Sequence, residues 1–198
     1  MVYGSHVLAM IILAKDLAKT RTKKAAVIPY IVTNTPIGPL VRLLLAEDKQ
    51  SRDWTYFGGG VKIHETTLEA AHREFSEESR EIFLDTYPSC NFMTSAISIV
   101  DPNSDTGIIF LPVSENCGIE TSKKFHDTKQ NIKYVKKCYN EMSNVGWFSS
   151  EALTYLINLD TPHPIHIWDR CKDFYKNYYT SDFENILIAA YKFHYPIN

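Results

Sequence analysis

The sequence predicts an α/β protein, and three features of the chain point that way. Short apolar runs rich in β-branched and aromatic residues are each closed by a turn signal. One strongly patterned helix is expected near residues 67–80, and an aromatic-rich tail from Ile165 onward carries helical spacing. At 198 residues, 44% hydrophobic and 22% charged, the chain is of ordinary globular composition. That length suits one domain, which we place at residues 1–160, with a helical extension at 161–198 packed on it.

Residues 6–15 and 25–33 read as strands, the second through Val27, Ile28, Tyr30, Ile31 and Val32. The stretch Asn34-Thr-Pro-Ile-Gly38 signals a turn, and residues 40–46 return from it as a strand. A polar loop follows at 47–53, then the aromatic residues 54–57 and three glycines, Gly58, Gly59 and Gly60. Residues 92–100 and 108–113 read as strands around a hairpin-like loop at 101–107, and residues 117–131, polar and poorly periodic, as a long surface loop. In the tail, Phe183, Ile186, Leu187, Ala190 and Tyr191 follow helical spacing, with Asp182 as the candidate cap. This aromatic face is expected to pack on the domain or to make a dimer contact.

The most informative stretch runs from Gly59 to Glu78. Thr66-x-x-Glu69 reads as a capping box that starts the helix. Within the helix Glu74, Glu77 and Glu78 are spaced i, i+3 and i+4, so they share one face within about 100° of arc. Glu81 continues that stripe; Leu68, Ala71, Phe75 and Ile82 form the apolar stripe beside it. Like charges so placed repel by a few tenths of a kcal/mol per pair. A divalent cation would offset the repulsion, and hard oxygen donors suit Mg²⁺ or Mn²⁺. A solvated acidic face is the plain alternative. Against it stand the glycines just upstream, which can bring bare backbone against a ligand or adopt positive φ.

Gly59, Glu65, Arg73, Glu74, Phe75, Glu77 and Glu78 together spell Gly-x5-Glu-x7-Arg-Glu-(apolar)-x-Glu-Glu. This resembles the signature of the Nudix hydrolases without a spacing error. Four positions depart from it. The closing Gly is Arg80, and the apolar residue after it is Glu81. His64 replaces a common Gly, and Phe57 or Gly58 stands where Pro is often found. The missing Gly predicts an altered helix exit. The Glu-Glu-Ser-Arg ending at residues 77–80 is also similar, over those few residues, to the mRNA-decapping branch of the family in large DNA viruses.

The resemblance implies an α/β/α sandwich with a mixed sheet and hydrolysis of a diphosphate linkage in a nucleoside diphosphate derivative. It implies Glu74, Glu77 and Glu78 as metal ligands, the Gly59 carbonyl as a further ligand, and Gly58, Gly59 and Gly60 as backbone lining the substrate. Arg73 would hold Glu77 or Glu65 in place, and Glu65 would brace the loop. A late segment, Glu141 ahead of a strand ending in Trp147-Phe148 with a Ser-capped helix after it, also resembles the family and makes Glu141 a candidate ligand or general base. Glu115, Glu120, Asp101 and Asp105 are weaker competitors for that role. Capped RNA, a diphosphoinositol substrate and a catalytically silent nucleotide-binding module remain open alternatives.

The net charge of −2 conceals two basic stretches, Lys15, Lys19, Arg21, Lys23 and Lys24, then Lys123, Lys124, Lys129, Lys133, Lys136 and Lys137. They are either solvated surface or a rim that attracts a polyanion. Cys90, Cys117, Cys138 and Cys171 form no Cys-x2-Cys pair, which suggests free thiols and a cytoplasmic location. His163 and His166 lack the partners of a zinc site. No apolar run approaches the ~20 residues that span a bilayer.

Overall fold

The structure, a computed structural model, describes residues 10–131, 137–159, 161 and 163–196. The first part of the expected strand at 6–15 therefore lies outside the described residues, as do Lys133 and Lys136 and the side chains of Lys129, Lys137 and Cys138.

Among the described residues, nine strands form one mixed sheet: β1 (Met10–Leu13), β2 (Lys24–Thr35), β3 (Gly38–Asp48), β4 (Asp53–Thr55), β5 (Phe57–Gly60), β6 (Ile97–Asp101), β7 (Thr106–Pro112), β8 (Met142–Ser149) and β9 (His166–Ile167). The order is β1-β6-β7-β2-β3-β4-β9, with β5 added to β2 and β8 to β3. Among the described residues, only β2–β7 and β4–β9 pair in parallel. The long strand β2 divides its partners: residues Lys24 to Val27 pair β5, whereas Tyr30 to Thr35 pair β3. This split opens the sheet where the glycines begin.

The sheet is accompanied, among the described residues, by six α-helices: α1 (Ala14–Leu17), α2 (Thr67–Glu78), α3 (Glu115–Asn131), α4 (Ser150–Ile157), α5 (Asp169–Tyr178) and α6 (Ser181–His194). Alternation along the strands sends neighbouring side chains to opposite faces. On one face Phe57 meets Phe75 of α2 edge-on at 5.4 Å, and Ile31 approaches Gly118 of α3. On the other, Phe110 packs on Phe174 of α5 and Phe183 of α6, and the Tyr30 hydroxyl donates to the Leu187 carbonyl at 3.1 Å. The result is an α/β/α sandwich with the C-terminal helices forming much of one outer layer.

Several local expectations need correction. Residues 117–131 are helix α3, not a loop. Its polar sequence hides a narrow buried edge of Gly118, Thr121 and Phe125, fastened where Trp147 Nε1 donates to the Gly118 carbonyl at 2.9 Å. The strand expected at 92–100 begins only at Ile97, because Cys90–Met93 form a 3₁₀ turn that exposes Phe92. The first strand stops at Leu13, where the chain turns into α1. Helix α6 is capped by Thr180, whose hydroxyl accepts from the Phe183 N–H at 3.3 Å; Asp182 lies inside its first turn. Helix α2 ends at Glu78, so Glu81 and Ile82 fall beyond it and do not extend its stripes.

Candidate active site

Helix α2 starts as its sequence dictates. The Thr66 hydroxyl accepts from the Glu69 N–H at 3.2 Å, and the Glu69 carboxylate accepts from the Thr66 N–H at 2.8 Å, closing the capping box. Thr67, fully buried, donates to the Thr20 carbonyl at 2.8 Å and accepts from the Thr22 N–H at 3.0 Å. These bonds lock the helix start to the segment that carries Lys23 and Lys24.

The three glycines lie in strand β5, and none has positive φ. Their value is close approach. A Cβ on Gly58 would stand 2.5 Å from the Ala25 carbonyl oxygen, and one on Gly59 would stand 2.6 Å from the Glu74 carboxylate. Nothing crowds Gly60, which serves through its carbonyl, an acceptor for Arg73 at 3.0 Å. Two different outcomes follow. Gly58→Ala presses on backbone and should cost about 1–3 kcal/mol of stability, measurable by denaturant unfolding. Gly59→Ala presses on a side chain that can swing away, so it should keep stability within about 0.5 kcal/mol while displacing Glu74 and depressing activity.

Arg73 is the hub. Its guanidinium grips Glu65 through two bonds, Nε to Oε1 at 2.6 Å and Nη2 to Oε2 at 2.9 Å. Nη1 donates to Glu74 at 2.6 Å and stands 3.7 Å from Glu77. The choice between Glu65 and Glu77 as partner is thus resolved mainly toward Glu65, with Glu74 added. The Arg73 bonds hold the Glu65 carboxyl down at about 2, against an ordinary 4.5, helped by the Lys62 N–H. Glu65 thereby ties the Lys62 N–H of the loop to Arg73 of the helix.

Glu78 behaves differently. It is 5% exposed, and its carboxylate accepts from the Gly58 N–H at 2.7 Å. Burial pushes its carboxyl well above the ordinary range; the Gly58 N–H opposes this, and the nearby carboxylates of Glu74, Glu141 and Asp48 push it further up. The charges of acidic side chains from three parts of the chain therefore bear on one buried carboxyl. Asp48 was read only as part of a polar loop. It ends β3 at a register shift, and its side chain accepts from the N–H groups of Gln50 and Ser51 at 2.8 and 2.7 Å. Irregular strand ends of this kind often border functional sites.

Glu141 precedes β8, and its carbonyl accepts from the Lys49 N–H at 2.8 Å. A cleft of about 590 Å³ runs past Asp48, Lys49, Gln50, Asn140 and Glu141. The competitors lie elsewhere. Asp101 accepts from the Tyr178 hydroxyl, Asp105 pairs with Lys23, Glu120 pairs with Lys124, and Glu115 borders a different hollow with Tyr191. His166 contacts Asp53 at 2.6 Å.

Among the described residues, no three Asp, Glu, His or Cys side chains already enclose a metal position. Protein donors hold the carboxylates instead: Arg73 takes Glu74, and the Gly58 N–H takes Glu78. The donor set nonetheless fits a hard divalent cation. It is all oxygen, and its charges press on one another around a buried carboxyl. Gly59 leaves open the space beside Glu74 that any Cβ would fill.

Sequence reasoning also missed Arg80, which is 4% exposed and reaches into α3 and β8. Its only sequence signal was the absence of the signature Gly. Burial pulls its guanidinium down to about 10, so it remains charged at neutral pH.

No family model and no curated protein matches the chain. Among solved structures it is similar to a mutT/nudix family protein from Listeria innocua (18% identity, 85% of this chain and 99% of that one, TM-score 0.44). It is also similar to a NUDIX family hydrolase from Clostridium perfringens (15%, 79% and 94%, 0.41) and to the Nudix hydrolase RenU from M. smegmatis (12%, 82% and 91%, 0.35). Likenesses this loose carry no argument about function. The stretch from Gly59 to Glu78 that resembles the Nudix signature folds as a glycine strand, a capped helix and a row of carboxylates braced by Arg73.

Proposed function

We propose that the protein is a metal-dependent Nudix hydrolase that cleaves the diphosphate linkage of a nucleoside diphosphate derivative. The observation that carries this reading is Glu78, a buried carboxyl held by the Gly58 N–H and pressed by the charges of Glu74, Glu141 and Asp48, the last two of which line the cleft. Such crowding is costly for a purely structural helix and suits a site made to take a cation.

Glu74, Glu77 and Glu78, with the Gly59 carbonyl, would hold Mg²⁺ or Mn²⁺, which when bound neutralises charge on the phosphoryl oxygens. Arg73 keeps Glu74 and Glu65 in fixed rotamers. Glu141, which lines the cleft, would accept a proton from water as the water oxygen bonds to phosphorus. The bridging P–O bond breaks, and its electron pair leaves with the second phosphate-bearing group.

The early basic stretch supports anionic substrates. Lys24 pairs with Gly60 across the sheet, the Lys23 carbonyl accepts from the Val61 N–H at 3.0 Å, and Lys19, Arg21, Lys23 and Lys62 are exposed around that junction. This favours keeping capped RNA as a second substrate reading, while a diphosphoinositol fits the same lysines. None of the described helices is long and apolar enough to cross a membrane.

The test is a panel of nucleotide sugars, dinucleotides, nucleoside diphosphate derivatives, diphosphoinositols and cap-labelled RNA, each with Mg²⁺ and with Mn²⁺. Metal-dependent release of a phosphate-bearing product is expected from at least one. Tight nucleotide binding with no turnover across the panel would favour the silent module instead.

A further inference from the structure

Arg80 stands where the Nudix signature ends in Gly, and the backbone keeps the conformation that a Gly would take. Its φ is 58°, and that of Glu81 is 61°, two consecutive left-handed residues that each carry a Cβ. That geometry is strained for residues that carry a Cβ. Something must hold it, and the guanidinium does. Nη1 donates to the Phe125 carbonyl at 2.8 Å, Nη2 to the Met142 carbonyl at 2.6 Å and Nε, at a longer 3.4 Å, to the Tyr139 carbonyl. The guanidinium carbon lies 3.7 Å from the centre of the Phe125 ring.

These acceptors are placed tellingly. Phe125 belongs to α3, whereas Tyr139 and Met142 flank Glu141 on either side. Glu81 adds a second hold, because its carboxylate accepts from the Tyr139 hydroxyl at 2.7 Å. The exit of the helix that bears Glu74, Glu77 and Glu78 is thereby fastened to the segment that bears Glu141. A lysine could not reproduce this, since it lacks the planar fork that reaches several carbonyls at once.

We propose that Arg80 is a positioning residue that holds the segment bearing Glu141 against the exit of the helix that bears Glu78. Its effect on turnover rests on the hydrolase reading given above; the hold itself does not. The departure from the signature at this position then exchanges a relaxed helix end for a fixed general base.

The test uses the full chain with Arg80→Gly and Arg80→Lys. Glycine suits the left-handed backbone, so a role confined to ending the helix would leave Arg80→Gly neutral or more stable. The first readout is hydrogen exchange at the Lys49 amide, which donates to the Glu141 carbonyl. Exchange about tenfold faster in Arg80→Gly, with the α2 amides unchanged, is expected from local opening of that segment. Should Arg80→Gly fail to fold, Arg80→Lys provides the same comparison. Wild-type exchange at Lys49 in the folded variant would overturn the proposal. The second readout is kinetic. Arg80→Gly should lower kcat about 10–100-fold with KM little changed, and the loss should vanish in a Glu141→Gln background. An equal loss in that background would overturn the coupling to Glu141. If the wild-type chain hydrolyses nothing, the hydrolase reading fails alone, and the exchange result still decides whether Arg80 holds the segment.

Discussion

Glu78→Gln should cut turnover by at least about a hundredfold, the upper end of what supporting groups around a metal cost when removed, while making the metal-free protein more stable at neutral pH. The second half follows from burial. In the folded chain the Glu78 carboxyl sits well above its ordinary 4.5 because it is dry, with Glu74, Glu141 and Asp48 near it. Between the unfolded and folded values, the native state binds more protons than the unfolded one, so stability falls as pH rises. The contribution is complete below the ordinary carboxylate range and is lost as pH climbs through the raised value. Glutamine has the same shape, can still accept from the Gly58 N–H and never ionises. Denaturant unfolding in chelator at about pH 5 and about pH 8 should therefore show wild type losing stability that the variant keeps. Adding Mg²⁺ or Mn²⁺ should narrow the gap by stabilising wild type alone. Parallel pH curves for the two proteins would sink the account of a strained buried carboxyl.

Arg73→Lys should be the second most damaging change. It retains the charge but cannot grip Glu65 with two nitrogens while also holding Glu74 and the Gly60 carbonyl. A kcat loss of about 10–100-fold is expected, with a loss of stability whose pH dependence has the opposite sign to that of Glu78. The Glu65 carboxyl is depressed to about 2 in the folded chain. Its contribution is present above 4.5 and disappears as pH falls toward about 2, where the carboxylate takes up its proton. Wild type and variant should thus differ in stability at neutral pH and converge in acid. A carboxyl NMR titration provides the direct check: the Glu65 midpoint should rise toward the ordinary value in Arg73→Lys. An unmoved midpoint would mean that something other than Arg73 holds Glu65 ionised.

Much of this site was legible because local rules and tertiary structure agreed. The capping box at Thr66 and Glu69, the hairpin of β2 and β3, and the Ser149 cap after β8 were each written in short-range chemistry. Helix α3 was not legible: it buries only a narrow edge, so its apolar period is weak, and Gly118 falls in its first turn. Asp48 was missed because it joins the cluster through the pairing of β3 with β8, a contact between distant parts of the chain. Arg80 was misjudged for a different reason. Sequence comparison registers the lost Gly but not the three carbonyls that lie 45, 59 and 62 positions away and make the replacement tolerable.

The C-terminal helices have an effect beyond packing. The hydroxyls of Tyr30, Tyr87 and Tyr191 each donate to a backbone carbonyl, at Leu187, Pro112 and Val113 respectively. Burial holds all three phenols above their ordinary range. An alkaline ultraviolet titration should therefore find these rings mute until the outer layer peels from the sheet, and then see them turn to phenolate together. Lye would act on this molecule as a cooperative denaturant, its threshold set by how firmly the tail clasps the body.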